Sequence, residues 1–421
     1  MGKNIVILFD GTSNEITADR TNILRLFGIL HRSQEQIVYY DPGVGTFGAA
    51  DAWSYAYRET AEVWGLATGW GLDQNVKQAY RFLVDNYASG NPDAAGDYPD
   101  RDRIYIFGFS RGAYTARVLA GFVHALGLMS EYHVNLIDYA YNTYKGITNG
   151  EQRAGGKARA DIDPDAPSAF ETMRLYERTL RTFRPSIKLL GLFDTVASVI
   201  VVGKWWPQFL TLPFTDRNPS VEVVRHAMGI DERRTMFNPI PWPPGQDYWG
   251  SPFKPQHPVP RQDLKQVWFS GVHSDIGGGY PESESAAIKI PLTWMIAETK
   301  PLGLAYDDSA VDRLVLGRDA RRPYVAPDAT APLHDSMTWA WRSLECVPRR
   351  VPPTSWRRHG DTGGIYIPLA DRRLIPDGAS VHQSVFDRMT AVKSEAPYDP
   401  PNLPSHYTIE PWSDWGAATK N

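Results

Sequence analysis

Gly108-Phe109-Ser110-Arg111-Gly112 sets a serine between two glycines at the G-x-S-x-G spacing of a nucleophile elbow. Such a serine is forced into a strained turn, and a side chain at either glycine would collide with the neighbouring strand or helix. An apolar run precedes the motif and a helix-prone stretch follows it, so Ser110 would stand where the positive end of a helix meets developing negative charge. A serine capping an ordinary glycine-flanked helix is the plainer alternative, and the strand-to-helix context favours the nucleophile.

A hydroxyl of this kind needs a general base, and the base needs an orienting carboxylate, in the chain order Ser, Asp or Glu, His. Asp194 directly follows the apolar run Leu189–Phe193, at the lip of a buried strand. Asp231 and Asp263 follow no comparable run. Among ten histidines, His273 ends a strand-like stretch and opens the glycine-rich Ser274-Asp275-Ile276-Gly277-Gly278-Gly279. His226 reads as helical and packed, and His382 is the rival base. Asp275 would orient a neighbour or cap the turn. A metal at His273 and Asp275 would need further ligands, and none is evident, so neither metal nor organic cofactor is expected. Backbone N–H groups of Gly11 and Thr12, after the first strand, and of Arg111, after the nucleophile, are the expected oxyanion donors. Asp10-Gly11-Thr12 also resembles the aspartyl-nucleophile phosphatases of the haloacid-dehalogenase type, but the carboxylate that pattern requires two residues earlier is Leu8.

These residues must be carried by strands and helices in alternation. Asn4–Phe9, Gln36–Tyr40, Arg103–Phe109, Ile187–Phe193 and, less regularly, Leu264–Val272 read as strands buried on both faces. Asn22–Leu30, Gln74–Tyr87 and Arg111–Leu126 read as helices. The pattern predicts an α/β-hydrolase-like fold, a mostly parallel sheet flanked by helices. Residues 1–300 form the expected core, with an insertion around 129–184 and an aromatic loop at 204–214. A Pro-, Arg- and Trp-rich extension, 301–421, is expected to pack on it. Trp205, Trp206 and Phe209, close after Asp194 and beside Lys204, are expected to form an apolar lip for substrate, although a loop tucked into the core fits them equally.

Composition removes other classes. A formal net charge of -4 over 421 residues gives no support to nucleic-acid binding. One cysteine, Cys346, rules out an intrachain disulfide and reads as a packed thiol. The apolar run Ile5–Phe9 is too short for a signal-peptide core, and no stretch approaches the ~20 apolar residues of a membrane span. The chain is therefore expected to be made in the cytoplasm, and to need dedicated machinery if it is exported.

Phe9-Asp10-Gly11-Thr12, the block from Gly108 to Ala113, Leu192-Phe193-Asp194-Thr195-Val196 and the block from Gly271 to Tyr280 stand in an order that closely resembles the DUF2235 family. That family includes the catalytic domain of type VI secretion phospholipase effectors of the Tle1 group. The resemblance spans roughly residues 4–280. It implies an α/β-hydrolase fold, a Ser110–Asp194–His273 triad and hydrolysis of phospholipid carboxylic esters. It also implies a lipid or other ester as substrate, transient contact with a membrane surface, and a secretion-machinery or immunity partner.

Overall fold

The computed structural model describes residues 2–11, 20–43, 70–93, 98–147, 168–196, 200–202, 207–209, 212–250, 258–319, 324–350, 365–391 and 397–413. Among these residues eight parallel strands form the central sheet: β1 (Asn4–Phe9), β2 (Gln36–Asp41), β3 (Arg103–Phe109), β4 (Ile187–Phe193), β5 (Val221–Gly229), β6 (Asp263–Phe269), β7 (Ala379–His382) and β8 (Tyr407–Glu410). Their spatial order is β8-β7-β6-β5-β4-β3-β1-β2, so the chain reverses its direction of travel across the sheet beside β1. In open α/β sheets ligands collect beyond the strand C-termini at such a point.

Period-two alternation divides the core. Ile5, Ile7 and Phe9 of β1 face α2 (Trp70–Asn86), α3 (Arg111–Leu126), α4 (Ile137–Gly146) and α5 (Ala169–Leu180). Val6 and Leu8 face α1 (Asn22–Ile29) on the other side, with α7 (Lys289–Thr299) and α8 (Asp308–Leu314). Between β6 and α7 lies a one-turn helix, α6 (His273–Gly277). Helices on both faces explain why the central strands read as unbroken apolar runs. The chain has the α/β-hydrolase-like fold its sequence predicts. No helix among the described residues is long and apolar enough to cross a membrane.

The structure corrects several readings. Val221–Gly229 is a strand, not a helix. Its valines at 221, 223 and 224 are β-branched and it is hydrogen-bonded along both edges, which overrides the helical preference of Arg225-His226-Ala227-Met228. The fifth run ends at Phe269, and Ser270–Val272 turn the chain into α6, so His273 begins a helix rather than a loop. The stretch 301–421, read from sequence as a Pro-, Arg- and Trp-rich extension, supplies α9 (Trp339–Leu344), α10 (Gln383–Thr390) and two strands of the main sheet. Cys346 is exposed rather than packed, because it lies on a surface turn just past α9, where its Sγ faces the Arg342 carbonyl at 3.5 Å.

Candidate active site

The turn from β3 into α3 holds Ser110 at φ 58° and ψ −124°, a conformation that L-residues rarely adopt. The Ser110 N–H donates to the Phe193 carbonyl at 3.0 Å, which ties the turn to the end of β4. Close approach explains both glycines. A Cβ on Gly112 would lie 2.3 Å from the carbonyl oxygens of Phe9 and Asp10, and one on Gly108 would lie 2.4 Å from the Gly112 carbonyl. Gly112→Ala is therefore expected to cost about 1–3 kcal/mol of stability, as overpacking does, read as a lower urea midpoint.

Asp194 follows β4 directly, also at positive φ (41°), and His273 opens α6 beyond β6. The strand ends bring the three side chains into one line. His273 Nε2 lies 2.8 Å from Ser110 Oγ, and its Nδ1 lies 2.5 Å from Asp194 Oδ2. All three residues are buried. Phe109 and Phe237 flank the imidazole, with ring centroids at 4.8 and 4.9 Å.

Surrounding groups fix the charges. Burial alone would raise the Asp194 carboxyl, but the Arg373 guanidinium and the His273 hydrogen bond outweigh it and hold the group well below the usual carboxylate range. Arg373 Nη1 and Nη2 donate to Asp194 Oδ1 and Oδ2, each at 2.7 Å, and the Gly229 N–H donates to Oδ1 at 3.0 Å. The backbone N–H of His273 donates to Glu232 Oε2 at 3.1 Å. Burial would raise Glu232 as well, but ion pairing with Arg234 brings it down to about 2. Burial lowers the His273 imidazole, and hydrogen bonding to Asp194 opposes that only in part. A base of this kind works neutral and is lost as pH falls through its pKa. The acid limb of any reaction in which His273 accepts a proton is therefore expected below the ordinary imidazole value of ~6.5, measured as the pH dependence of turnover.

A cavity of about 180 Å³ opens over Ser110, lined among others by Gly11, Phe109, Arg111, Arg234, Phe237 and Trp341. Arg111, the first residue of α3, is on this wall. Gly11 is there too, but its N–H, expected to face an oxyanion, donates to its own neighbour Asp10 Oδ1 at 2.7 Å. Thr12, Trp205 and Trp206 lie outside the described residues. Phe209 lies on a short strand, Pro207–Phe209, and its side chain is likewise outside the described set.

The rival residues are engaged elsewhere. Asp10 Oδ2 accepts from the Thr21 and Tyr40 hydroxyls at 2.5 and 2.9 Å, so Asp10 ties the end of β1 to the cap of α1 and to β2. Asp231 accepts from the Gly271 N–H and the Tyr398 hydroxyl, and Asp263 pairs with Arg225 at the opposite end of the sheet. Asp275 accepts from the Val272 N–H and contacts His334 Nδ1 at 2.6 Å. His226 Nε2 accepts the Thr195 N–H at 3.2 Å, and His382 caps α10 by accepting the Ser384 N–H. Arg373, Glu232 and Arg234 have no site role in the sequence reading, because only the folded chain brings them to the site.

Comparison with known proteins supplies a second line. Residues 3–298 match the family described as "T6SS, Phospholipase effector Tle1-like, catalytic domain". The chain belongs to this family. An uncharacterized protein of Saccharomyces cerevisiae is 33% identical over 257 residues, which cover 58% of this chain and 34% of the yeast protein. This chain thus matches about a third of that relative's length. Two solved structures are similar at low identity. One is an uncharacterized protein from Pseudomonas aeruginosa, 20% identical with a TM-score of 0.44, covering 72% of this chain and 46% of that one. The other is the Tle1 effector bound to the VgrG spike of the Type 6 secretion system, 19% identical with a TM-score of 0.30, covering 66% of this chain and 51% of that one.

Proposed function

We propose that the chain is a serine hydrolase of carboxylic esters, acting on lipid esters and most fittingly on phospholipids. One observation carries the chemistry: the buried line from Ser110 Oγ through His273 to Asp194, under an open cavity. Ser110 attacks the acyl carbonyl while His273 Nε2 takes its proton and Asp194 steadies the imidazolium. The tetrahedral oxyanion is held by the Arg111 N–H and by the loop after β1, where Thr12 is the remaining candidate donor. His273 returns the proton to the leaving alcohol. Water, deprotonated by the same imidazole, then releases the acyl group and restores the serine.

Family membership supports the lipid part of the reading. It also supports delivery by a type VI secretion apparatus, with a partner in that machinery or an immunity protein. Trp205, Trp206 and Phe209 remain the proposed apolar lip over the cavity. A short soluble ester is the second substrate reading, because the Ser110–His273–Asp194 line acts on the acyl carbonyl whatever the chain length. Mass spectrometry of lipid products separates the two. Wild type should release fatty acid from phospholipid vesicles faster than it cleaves short acyl nitrophenyl esters, and Ser110→Ala should do neither. Turnover of the short esters alone would remove the lipid assignment.

A further inference from the structure

We propose that Arg373 is a positioning residue of the active site, whose guanidinium grips the outer side of Asp194 and keeps that carboxylate ionised and aligned for His273. The role rests on the Ser110–His273–Asp194 reading. It makes the C-terminal segment a working part of the site, because Arg373 lies outside the family-matched stretch 3–298.

Arg373 is 2% exposed. Its two terminal nitrogens each donate twice: Nη1 to Asp194 Oδ1 and the Gly229 carbonyl, Nη2 to Asp194 Oδ2 and the Phe237 carbonyl. A planar fork fits a carboxylate in this way, whereas a lysine offers a single point charge. One guanidinium thus joins the triad acid to the end of β5 and to Phe237, whose ring packs against His273. A guanidinium buried this deeply must be paired, and the partner it takes is the carboxylate that faces His273. Other contacts tie the same segment to the site: Ser336 donates to Glu232, Glu345 accepts from the Thr235 N–H, and Tyr398 donates to Asp231.

Other titratable groups stand around this pair: Glu232 and Arg234 on the turn after β5, and His226, held neutral by burial, on β5. Among the described residues, Arg373 is the group that forms the fork on Asp194. With glutamine in its place, the buried Asp194 loses its counter-ion and binds a proton more readily, so it no longer supports the imidazolium. If Asp194 stays ionised instead, its uncompensated charge raises the proton affinity of His273. Both routes move the acid limb to higher pH.

The test is the rate of covalent labelling by a fluorophosphonate against pH, for wild type, Arg373→Lys, Arg373→Gln and Ser110→Ala, with folding checked by thermal unfolding. Arg373→Gln should raise the acid limb by about 1–3 pH units, the effect of one close charge, and lower the plateau on the order of 10²-fold, the effect of misplaced catalytic groups. Arg373→Lys should keep the limb near its wild-type position at an intermediate plateau. A folded Gln variant with a wild-type limb, or an equal shift in both variants, overturns the proposal. Should the Gln variant not fold, the Lys variant decides: an unmoved limb with a lowered plateau supports the role, and a raised limb or an unchanged plateau overturns it. Wild type that resists labelling, or Ser110→Ala that accepts it, removes the triad reading and this role with it.

Discussion

Ser110→Ala is expected to lower ester turnover by about 10⁶-fold, the loss seen when the nucleophile of a comparable triad is removed. The change deletes one oxygen and leaves everything that shapes the turn. Gly108 and Gly112 still allow the close backbone approach, and the Ser110 N–H to Phe193 hydrogen bond belongs to the backbone. Stability should therefore stay within ~0.5 kcal/mol of wild type, as at sites without a named packing or charge defect. Turnover measured beside a denaturation curve checks both halves. A large loss of activity that tracked a large loss of stability would point to misfolding rather than to a missing nucleophile.

Asp194→Asn should cost about 10⁴-fold in turnover, as the equivalent neutral substitution does in other triads. The reason is tautomeric. An amide –NH₂ facing His273 Nδ1 makes that nitrogen an acceptor and moves the proton to Nε2, which then cannot take the Ser110 proton. Unlike the serine change, this one should also destabilise the fold. Arg373 is buried with its fork on both Asp194 oxygens, and asparagine leaves its charge without a counter-ion, at a cost of ~3–5 kcal/mol typical of broken buried pairs. The two variants should thus separate on a melting curve: Ser110→Ala close to wild type, Asp194→Asn well below it.

The contrast between these variants shows what a single chain of letters can carry. Ser110, Asp194 and His273 are legible because each follows an apolar strand run and parallel topology places strand C-termini on one edge. The glycines of the elbow are legible for the same local reason. Arg373 is not. It stands in Asp371-Arg372-Arg373-Leu374, where nothing marks one arginine for burial, and its partner Asp194 lies 179 positions away. β5 is illegible in a different way, since Arg225, Ala227 and Met228 favour a helix, and the β-branched valines before them together with the pairing to β4 and β6 make it a strand. The four-residue strands β7 and β8 are too short to show a period at all. Gly11 illustrates the reverse case. Its position at the end of β1 is readable, yet the direction of its N–H is set by the neighbouring Asp10 carboxylate.

Peptide mass spectrometry after fluorophosphonate treatment of the native chain tests the central claim most directly. The account predicts one phosphonyl adduct, on the oxygen of Ser110, absent from Ser110→Ala and slow to form in His273→Ala. A folded wild-type chain that carries no adduct, or carries it on another residue, would contradict it.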